Sequence, residues 1–169
     1  LVDVFQAGAG TSHNMNVNEV IANRANEILG QPKGSYHPIH PNDHVNLSQS
    51  TNDVIPTAIR LAALKELRSF FDAVKKLIQS FRKKEKEFDQ VLKSGRTHLH
   101  DATPIRLGQE FSGYRICLEN HLKKIEETKK WLLQIGLGGT AVGTGINTDP
   151  RYPKKVAKAL SKLTKENLK

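Results

Sequence analysis

Ile55-Pro-Thr-Ala-Ile-Arg-Leu-Ala-Ala-Leu-Lys-Glu-Leu-Arg-Ser-Phe-Phe-Asp-Ala-Val-Lys-Lys-Leu-Ile-Gln-Ser-Phe81 is the stretch on which the fold turns. Ile55, Ile59, Ala62, Ala63, Leu67, Phe70, Phe71, Val74, Leu77, Ile78 and Phe81 recur at the period of one helix face. Pro56 is expected in a first turn, where its missing N–H costs little. Lys83-Lys-Glu-Lys-Glu87 continues the helix with charge, and Ser94-Gly95 is expected to close it. A second stripe, Leu107, Phe111, Tyr114, Leu118, Leu122, Ile125 and Leu132, predicts another long helix from about 107 to 135. The fold class is therefore all-α, a long-helix bundle. Two rods cannot cover both stripes on each other, so further helices are expected from more sequence or from other subunits.

Working outward, Thr11 or Ser12 is expected to cap a first helix on which Val17, Val20, Ile21, Ala25 and Ile28 recur. Gly30 and Pro32 end it, and Pro32, Gly34, Pro38 and Pro41 make residues 31–48 a loop. Arg96 to Arg106 reads as a short extended stretch between the long helices. After the second long helix come a glycine-rich turn, Gly136 to Gly145, and a basic helix from about Tyr152 to Lys165.

With 169 residues, 37% of them hydrophobic and 25% charged, the chain has enough apolar material for a core. The composition excludes a collagen, a disulfide mini-protein and a wholly disordered chain. Cys117 is the single cysteine and closes no internal disulfide, which fits a reducing, cytoplasmic location. No apolar run is long enough for a membrane span, and the N-terminus lacks the layout of a signal peptide. The opening Leu1-Val-Asp-Val-Phe5 and the closing Leu163 to Lys169 read as the interior of a longer protein. The formal charge of +9 comes mainly from Lys75–Lys93 and from Lys123 onward, both in helical patterns that read as solvated faces. Trp131 and Tyr152 are too isolated to stack bases, so no nucleic-acid partner is expected.

Three polar stretches at element ends are candidates for chemistry. Gly8-Ala-Gly-Thr-Ser-His-Asn-Met-Asn16 is either a plain capped helix start or a place where backbone N–H groups meet an anion. His40-Pro-Asn-Asp-His-Val-Asn-Leu-Ser-Gln-Ser-Thr-Asn-Asp53 feeds the first long helix. There Ser50, Thr51 and Asn52 either donate to a carboxylate or serve as a polar loop with a cap. His37, His40 and His44 suggest a metal, but Pro38 and Pro41 break any helical face and no HExxH or cysteine partner is near, so no metal is expected. In Ser94-Gly-Arg-Thr-His-Leu-His-Asp-Ala-Thr-Pro104, His98 or His100 suits proton relay, with Asp101 as orienting partner. Thr97 and His98 point to opposite sides unless the backbone turns there. Gly138 and Gly143 have P-loop separation, yet Thr144 stands where the lysine must be, so a phosphate cradle is not expected.

Together these segments resemble the aspartase/class II fumarase superfamily over nearly the whole chain. The motifs are residues 8–16, Asn18-Glu-Val-Ile-Ala-Asn-Arg24, His40-Pro-Asn-Asp-His-Val-Asn46 and Ser48-Gln-Ser-Thr-Asn-Asp53. Gly95-Arg-Thr-His98, Leu107-Gly-Gln-Glu-Phe111 and Gly139-Thr-Ala-Val-Gly-Thr-Gly145 follow in order. The resemblance implies that residues 1–48 end the N-terminal domain and 49–169 begin the central bundle. It further implies a homotetramer with active sites built from three subunits, and no cofactor. The implied reaction is anti elimination to fumarate through an aci-carboxylate. Thr11, Ser50, Thr51 and Asn52 would bind the dicarboxylate or amino-acid substrate, and Thr97 and His98 the carboxylate that becomes the aci-acid. His40, Asn42 and Asp43 resemble a second dicarboxylate site. The family's serine base, on a Gly-Ser-Ser-x-Met-Pro-x-Lys-x-Asn loop, has no counterpart in these residues, so they are expected to be inactive alone. Ala9, Ser12-His13 and Thr51 lean to aspartases, where fumarases usually show Gly-Ser-Gly-Thr-Gln and Ser-Ser-Asn. His40-Pro-Asn-Asp43 and Phe111-Ser-Gly-Tyr114 lean to fumarases. Outside enzymes, a non-catalytic helical assembly module also fits the pattern.

Overall fold

The computed structural model describes residues 3–169. Leu1 and Val2 of the opening run lie outside the described residues. The elements are α1 (Thr11–Ile28), a π-helical turn (Pro41–Val45), α2 (Thr51–Glu87), β1 (Leu92–Thr97), β2 (His100–Arg106), α3 (Leu107–Leu132) and α4 (Tyr152–Thr164). Two compact units form: one runs up to Ala62 and adds Leu132–Lys169, the other is Ala63–Trp131.

In the first unit, α1 departs from its expected cap and from the usual role of its faces. Its N-cap is Gly10 at φ 82°, with no side-chain capping bond, in place of Thr11 or Ser12. A Cβ on Gly10 would lie 2.8 Å from Ile55 Cγ1, so glycine is needed both for the left-handed turn and for the approach to α2. The buried residues of α1 are Asn14, Asn18, Ala22 and Asn26, while Val17, Val20, Ile21 and Ile28 are 49–68% exposed. The amides face inward because they satisfy a loop that has few backbone partners of its own. Asn26 donates to Ile39 O at 2.8 Å and accepts from Ile39 N at 2.9 Å. Asn18 Nδ2 donates to Asn46 Oδ1 at 3.0 Å. Such pairing is what makes a buried amide tolerable.

The π-helical turn replaces part of the expected loop. His40 caps it, its Nδ1 accepting from Asn42 N and Asp43 N, each at 3.2 Å. Farther along, the 133–135 segment pairs with Lys169 in both directions: Lys169 N donates to Leu133 O, and Ile135 N to Lys169 O. Leu168 is buried beside this pairing.

The second unit is an antiparallel helix pair joined by a hairpin. Leu64 and Ile78 are its buried apolar side chains among the described residues. Leu64, absent from the expected stripe, stands at 3/4 spacing with Leu67, Phe71 and Ile78 and so lies on the same helix face. Phe81, Phe88, Phe111 and Tyr114 cluster with ring centroids 5.6–6.1 Å apart. Arg115 bonds both Glu85, at 2.6 and 3.2 Å, and Glu119 at 2.8 Å, and Arg82 reaches Glu119 at 2.7 Å. These hydrogen bonds from Arg115 hold Glu85 below the usual carboxylate range.

α2 ends at Glu87, before the expected Ser94-Gly95, and a turn over residues 88–90 leads into β1 at Leu92. The expected extended stretch is a true hairpin: Leu92 pairs with Arg106 and Thr97 with His100, with an irregularity between Ser94 and Arg96. α3 begins at once after β2, with Leu107 N donating to Val91 O and Gly108 N to Phe88 O. No helix among the described residues is long and apolar enough to cross a membrane.

Candidate functional site

The N-terminus of α2 gathers most of the polar residues expected to bind substrate. Ser50 is its cap: Ser50 Oγ accepts from Asn52 N at 3.3 Å, and Ser50 N donates back to Asp53 Oδ1 at 3.0 Å. This reciprocal pair is a capping box, Ser50-x-x-Asp53, in which Asn52 N–H meets Ser50 Oγ and Asp53 N–H meets Ser50 O. Pro56 sits in the second turn of α2, not the first. Lacking an N–H, it removes the bond that the Asn52 carbonyl would otherwise accept.

Thr51 accepts from Asn14 Nδ2 at 3.3 Å, and the same amide reaches Asn46 Oδ1 at 3.3 Å. The start of α1 is thereby fixed against the start of α2, and Thr11, exposed, opens that same turn of α1. Thr11, Ser50, Thr51 and Asn52 thus all stand in the first unit around two helix N-termini. The positive ends of two helix dipoles meet there, which favours an anion.

Asp53 was not singled out from sequence, and it is the most connected residue here. It is 4% exposed, and its Oδ2 accepts from Gly138 N at 3.0 Å and Thr140 N at 2.7 Å. Asn52 Nδ2 also reaches the glycine-rich turn, donating to Ala141 O at 2.8 Å. The signal that could have found Asp53 is the Ser-x-x-Asp spacing ahead of the apolar run. Gly138 holds φ 102°, and a Cβ on it would lie 2.6 Å from Pro153 Cγ, so this turn lies directly on α4. Tyr152, at the start of α4, has its phenol pushed up by burial and by the charge of Asp53.

Thr140 is unusual in two ways. It is β-branched yet holds φ 58°, and its buried Oγ1 has no hydrogen-bond partner among the described residues. It lines a cavity of about 400 Å³ with Asn42, Asp43, Asn46, Gln49 and Asn147. Asn42 and Asp43, expected at a second dicarboxylate site, therefore share a cavity with the glycine-rich turn. Their N–H groups already donate to Nδ1 of the His40 imidazole.

Thr97 and His98 belong to the second unit, apart from the residues above. The backbone does turn at His98 (φ 48°) and Leu99 (φ 63°), giving a two-residue hairpin with both positions left-handed. Thr97 and His98 stand exposed at the hairpin tip. Asp101 does not orient a histidine: its carboxylate faces Arg96 Nε at 3.6 Å, because the hairpin register sets Arg96 opposite Asp101. Among the described residues no three His, Cys, Asp or Glu side chains converge as metal ligands would.

A helical chain with hydroxyls and amides grouped at two helix N-termini and an exposed Thr-His hairpin tip matches a known class. The chain belongs to the lyase family, whose sequence model matches residues 1–169. It is 52% identical over 164 residues to an aspartate ammonia-lyase of Bacillus subtilis (strain 168), covering 97% of this chain and 34% of that one. It is 53% identical over 162 residues to a class II fumarate hydratase of Neisseria meningitidis, covering 95% and 35%. Its fold is similar to that of a fumarate lyase:delta crystallin from Brucella melitensis bound to cobalt. That match has a TM-score of 0.91 at 51% identity and covers 100% of this chain and 37% of the other. The chain therefore spans about a third of the length of the curated relatives it matches.

Proposed function

We propose that the full-length protein carrying these residues is a lyase that forms fumarate by anti elimination from a four-carbon dicarboxylate, with L-aspartate as preferred substrate. Thr11, Ser50, Thr51 and Asn52 bind the substrate carboxylate or amino group. Thr97 and His98, on the hairpin tip, bind the carboxylate that gains a second negative charge as the neighbouring proton leaves. Stabilising that dianion is the largest catalytic contribution, since fixed donors act where charge develops. The proton-abstracting base is not among the residues assigned here. The observation that carries the reading is the paired N-termini of α1 and α2, tied by Asn14 to Thr51, with hydroxyls and amides grouped around them.

The reading extends to the whole protein. Residues 1–48 close an N-terminal domain and 49–169 open a central bundle, in a homotetramer whose active sites draw on three subunits. Separation of Thr97 and His98 from the α2 cluster into another compact unit is compatible with such sharing. So is the exposure of Val17, Val20 and Ile59. The location is cytoplasmic, as the lone Cys117 suggests.

The test is ultraviolet detection of fumarate from L-aspartate and, separately, L-malate, using the full-length protein. Faster fumarate from aspartate with matching ammonia release is expected. Thr51→Ala should lower kcat/KM roughly 10- to 150-fold, as loss of one hydrogen bond to a charged group costs about 1.5–3 kcal/mol. Faster fumarate from malate would favour class II fumarase, the reading supported by His40-Pro-Asn-Asp43 and by the cavity that Asn42 and Asp43 line. Silence on both substrates would overturn the proposal and point to another amino or hydroxy acid of the same superfamily.

A further inference from the structure

We infer that Asp53 is a positioning residue that clasps the 138–140 turn onto the N-terminus of α2 and so fixes the amide of Asn52 for substrate. This rests on the carboxylate-binding role proposed above for Ser50–Asn52. The capping box needs only one carboxylate oxygen, and Oδ1 fills that role by accepting from Ser50 N. Oδ2 is spent on something else: it accepts both Gly138 N and Thr140 N. The turn so held presents Ala141 O, which accepts from Asn52 Nδ2. Asn52 is exposed, so without that carbonyl its amide would sample several rotamers in water. Asp53 thus acts on substrate through the turn and through Asn52, and touches no substrate itself.

The clasp also accounts for Thr140. A β-branched residue at φ 58° is strained, and its N–H is the shorter of the two bonds to Asp53, at 2.7 Å. A buried carboxylate with backbone donors on both oxygens holds the turn in that conformation. Its lone pairs face the protein, so its negative charge is met by N–H groups before it can repel an incoming dicarboxylate.

Asp53→Asn tests the second oxygen. The amide keeps one acceptor, so it can cap Ser50 or hold the turn but not both, and its NH2 then faces other donors. The experiment uses the full-length protein with Asp53→Asn, Asn52→Ala and the double variant, read by fumarate formation and by amide hydrogen exchange at Gly138 and Thr140. We expect Asp53→Asn to raise KM about tenfold with Asn52 present and less than about twofold in the Asn52→Ala background. This is the coupling expected of residues that act as a unit. A purely structural role would lower the melting temperature and give the same KM effect in both backgrounds, and that result would overturn the inference. So would a lower KM in Asp53→Asn, which simple loss of a negative charge predicts. If Asp53→Asn does not fold, exchange in the wild type decides: Gly138 and Thr140 amides must be protected well beyond that of Gly143, and equal exchange refutes the clasp. If the wild type forms no fumarate, the lyase reading fails and the substrate half of the inference falls with it. The exchange data then report on the clasp alone.

Discussion

Two glycines on one face-sharing helix should respond to alanine with opposite signs. Gly113, within α3, has nothing within 4 Å of the position a Cβ would take, whereas at Gly108 that Cβ would lie 2.5 Å from Glu85 O and 2.8 Å from Asp89 Cα. Replacing glycine by alanine in an open helix interior stabilises by about 0.5–1 kcal/mol, since the unfolded chain loses freedom. Gly113→Ala should show that gain. At Gly108 the obstacles are backbone atoms of α2 and of the segment after it, which cannot swing aside as a side chain would. Overpacking of this kind typically costs about 1–3 kcal/mol. Set against the helix gain, Gly108→Ala should destabilise by about 1–2 kcal/mol net, leaving the two variants about 1.5–3 kcal/mol apart. The local reporter is hydrogen exchange at the amides of residues 107 and 108, which bond to Val91 O and Phe88 O. A loss of about 2 kcal/mol there appears as roughly thirtyfold faster exchange. Thermal unfolding by circular dichroism in the full-length protein gives the global ordering. A neutral or stabilising Gly108→Ala would refute the packing argument, and a destabilising Gly113→Ala would show that the open face of α3 is covered by another chain.

Other consequences follow from polar pairing. Asn26→Ala strips the partner from both the N–H and the carbonyl of half-buried Ile39; the cost should be about 1–3 kcal/mol, read as a lower denaturation midpoint with unchanged m-value. Glu27, Glu85, Glu110 and Glu119 are all held below their ordinary value of 4.5. Arg24, Arg115 and Lys93 lower the first three through hydrogen bonds; for Glu119, desolvation pushes up and is outweighed by Arg115 and Arg82. A carboxylate depressed in the folded state stabilises fully above its unfolded value and loses that contribution as pH falls through the folded one. The melting temperature should thus be flat above about pH 5 and fall below about 4.5, and Arg115→Met should flatten that fall. A melting temperature unchanged between pH 5 and 3 would refute these pairings. Asp149, held at about 2 by hydrogen bonds from Arg151, should titrate last by NMR, and an ordinary value in its spectrum would break that assignment.

The long helices are legible because their stripes run at helical period for many turns, and Leu64 extends the α2 stripe at the spacing of Phe71 and Ile78. The hairpin is not, since Leu-Lys-Ser-Gly-Arg-Thr shows no alternation and His98-Leu99 lacks the Asn-Gly signal of a two-residue turn. Five residues of π-helix carry no period to read, so Pro41–Val45 passed as loop. At the candidate site, Ser50, Thr51 and Asn52 could be picked out as hydroxyls and amides before an apolar run. Asp53 completes the same motif, but its partners Gly138 and Thr140 are 85 and 87 positions away, a separation no local pattern encodes.

The same reasoning explains why α1 misleads when its apolar residues are taken for its core. In most surface helices the apolar stripe is buried and the amides meet water. Here Asn14, Asn18 and Asn26 are within 5% of full burial while Val20 and Ile28 are 59% and 68% exposed. Burial of the amides is enforced by what they touch: Asn46, Thr51 and Ile39 each have polar groups that the loop cannot satisfy alone. The apolar side chains are then left facing away from the chain's own packing. An exposed Val or Ile forfeits about 1.5–3 kcal/mol that burial would supply. Several on one helix face amount to a surface whose stability must come from another chain or from more of the same one. The amides that build the candidate site and the apolar face that waits for a neighbour are therefore two sides of one helix. In the proposed oligomer of the full-length protein, Val20→Lys should shift the species to smaller size by size-exclusion chromatography while leaving Asn14, Asn18 and their hydrogen bonds to Asn46 intact.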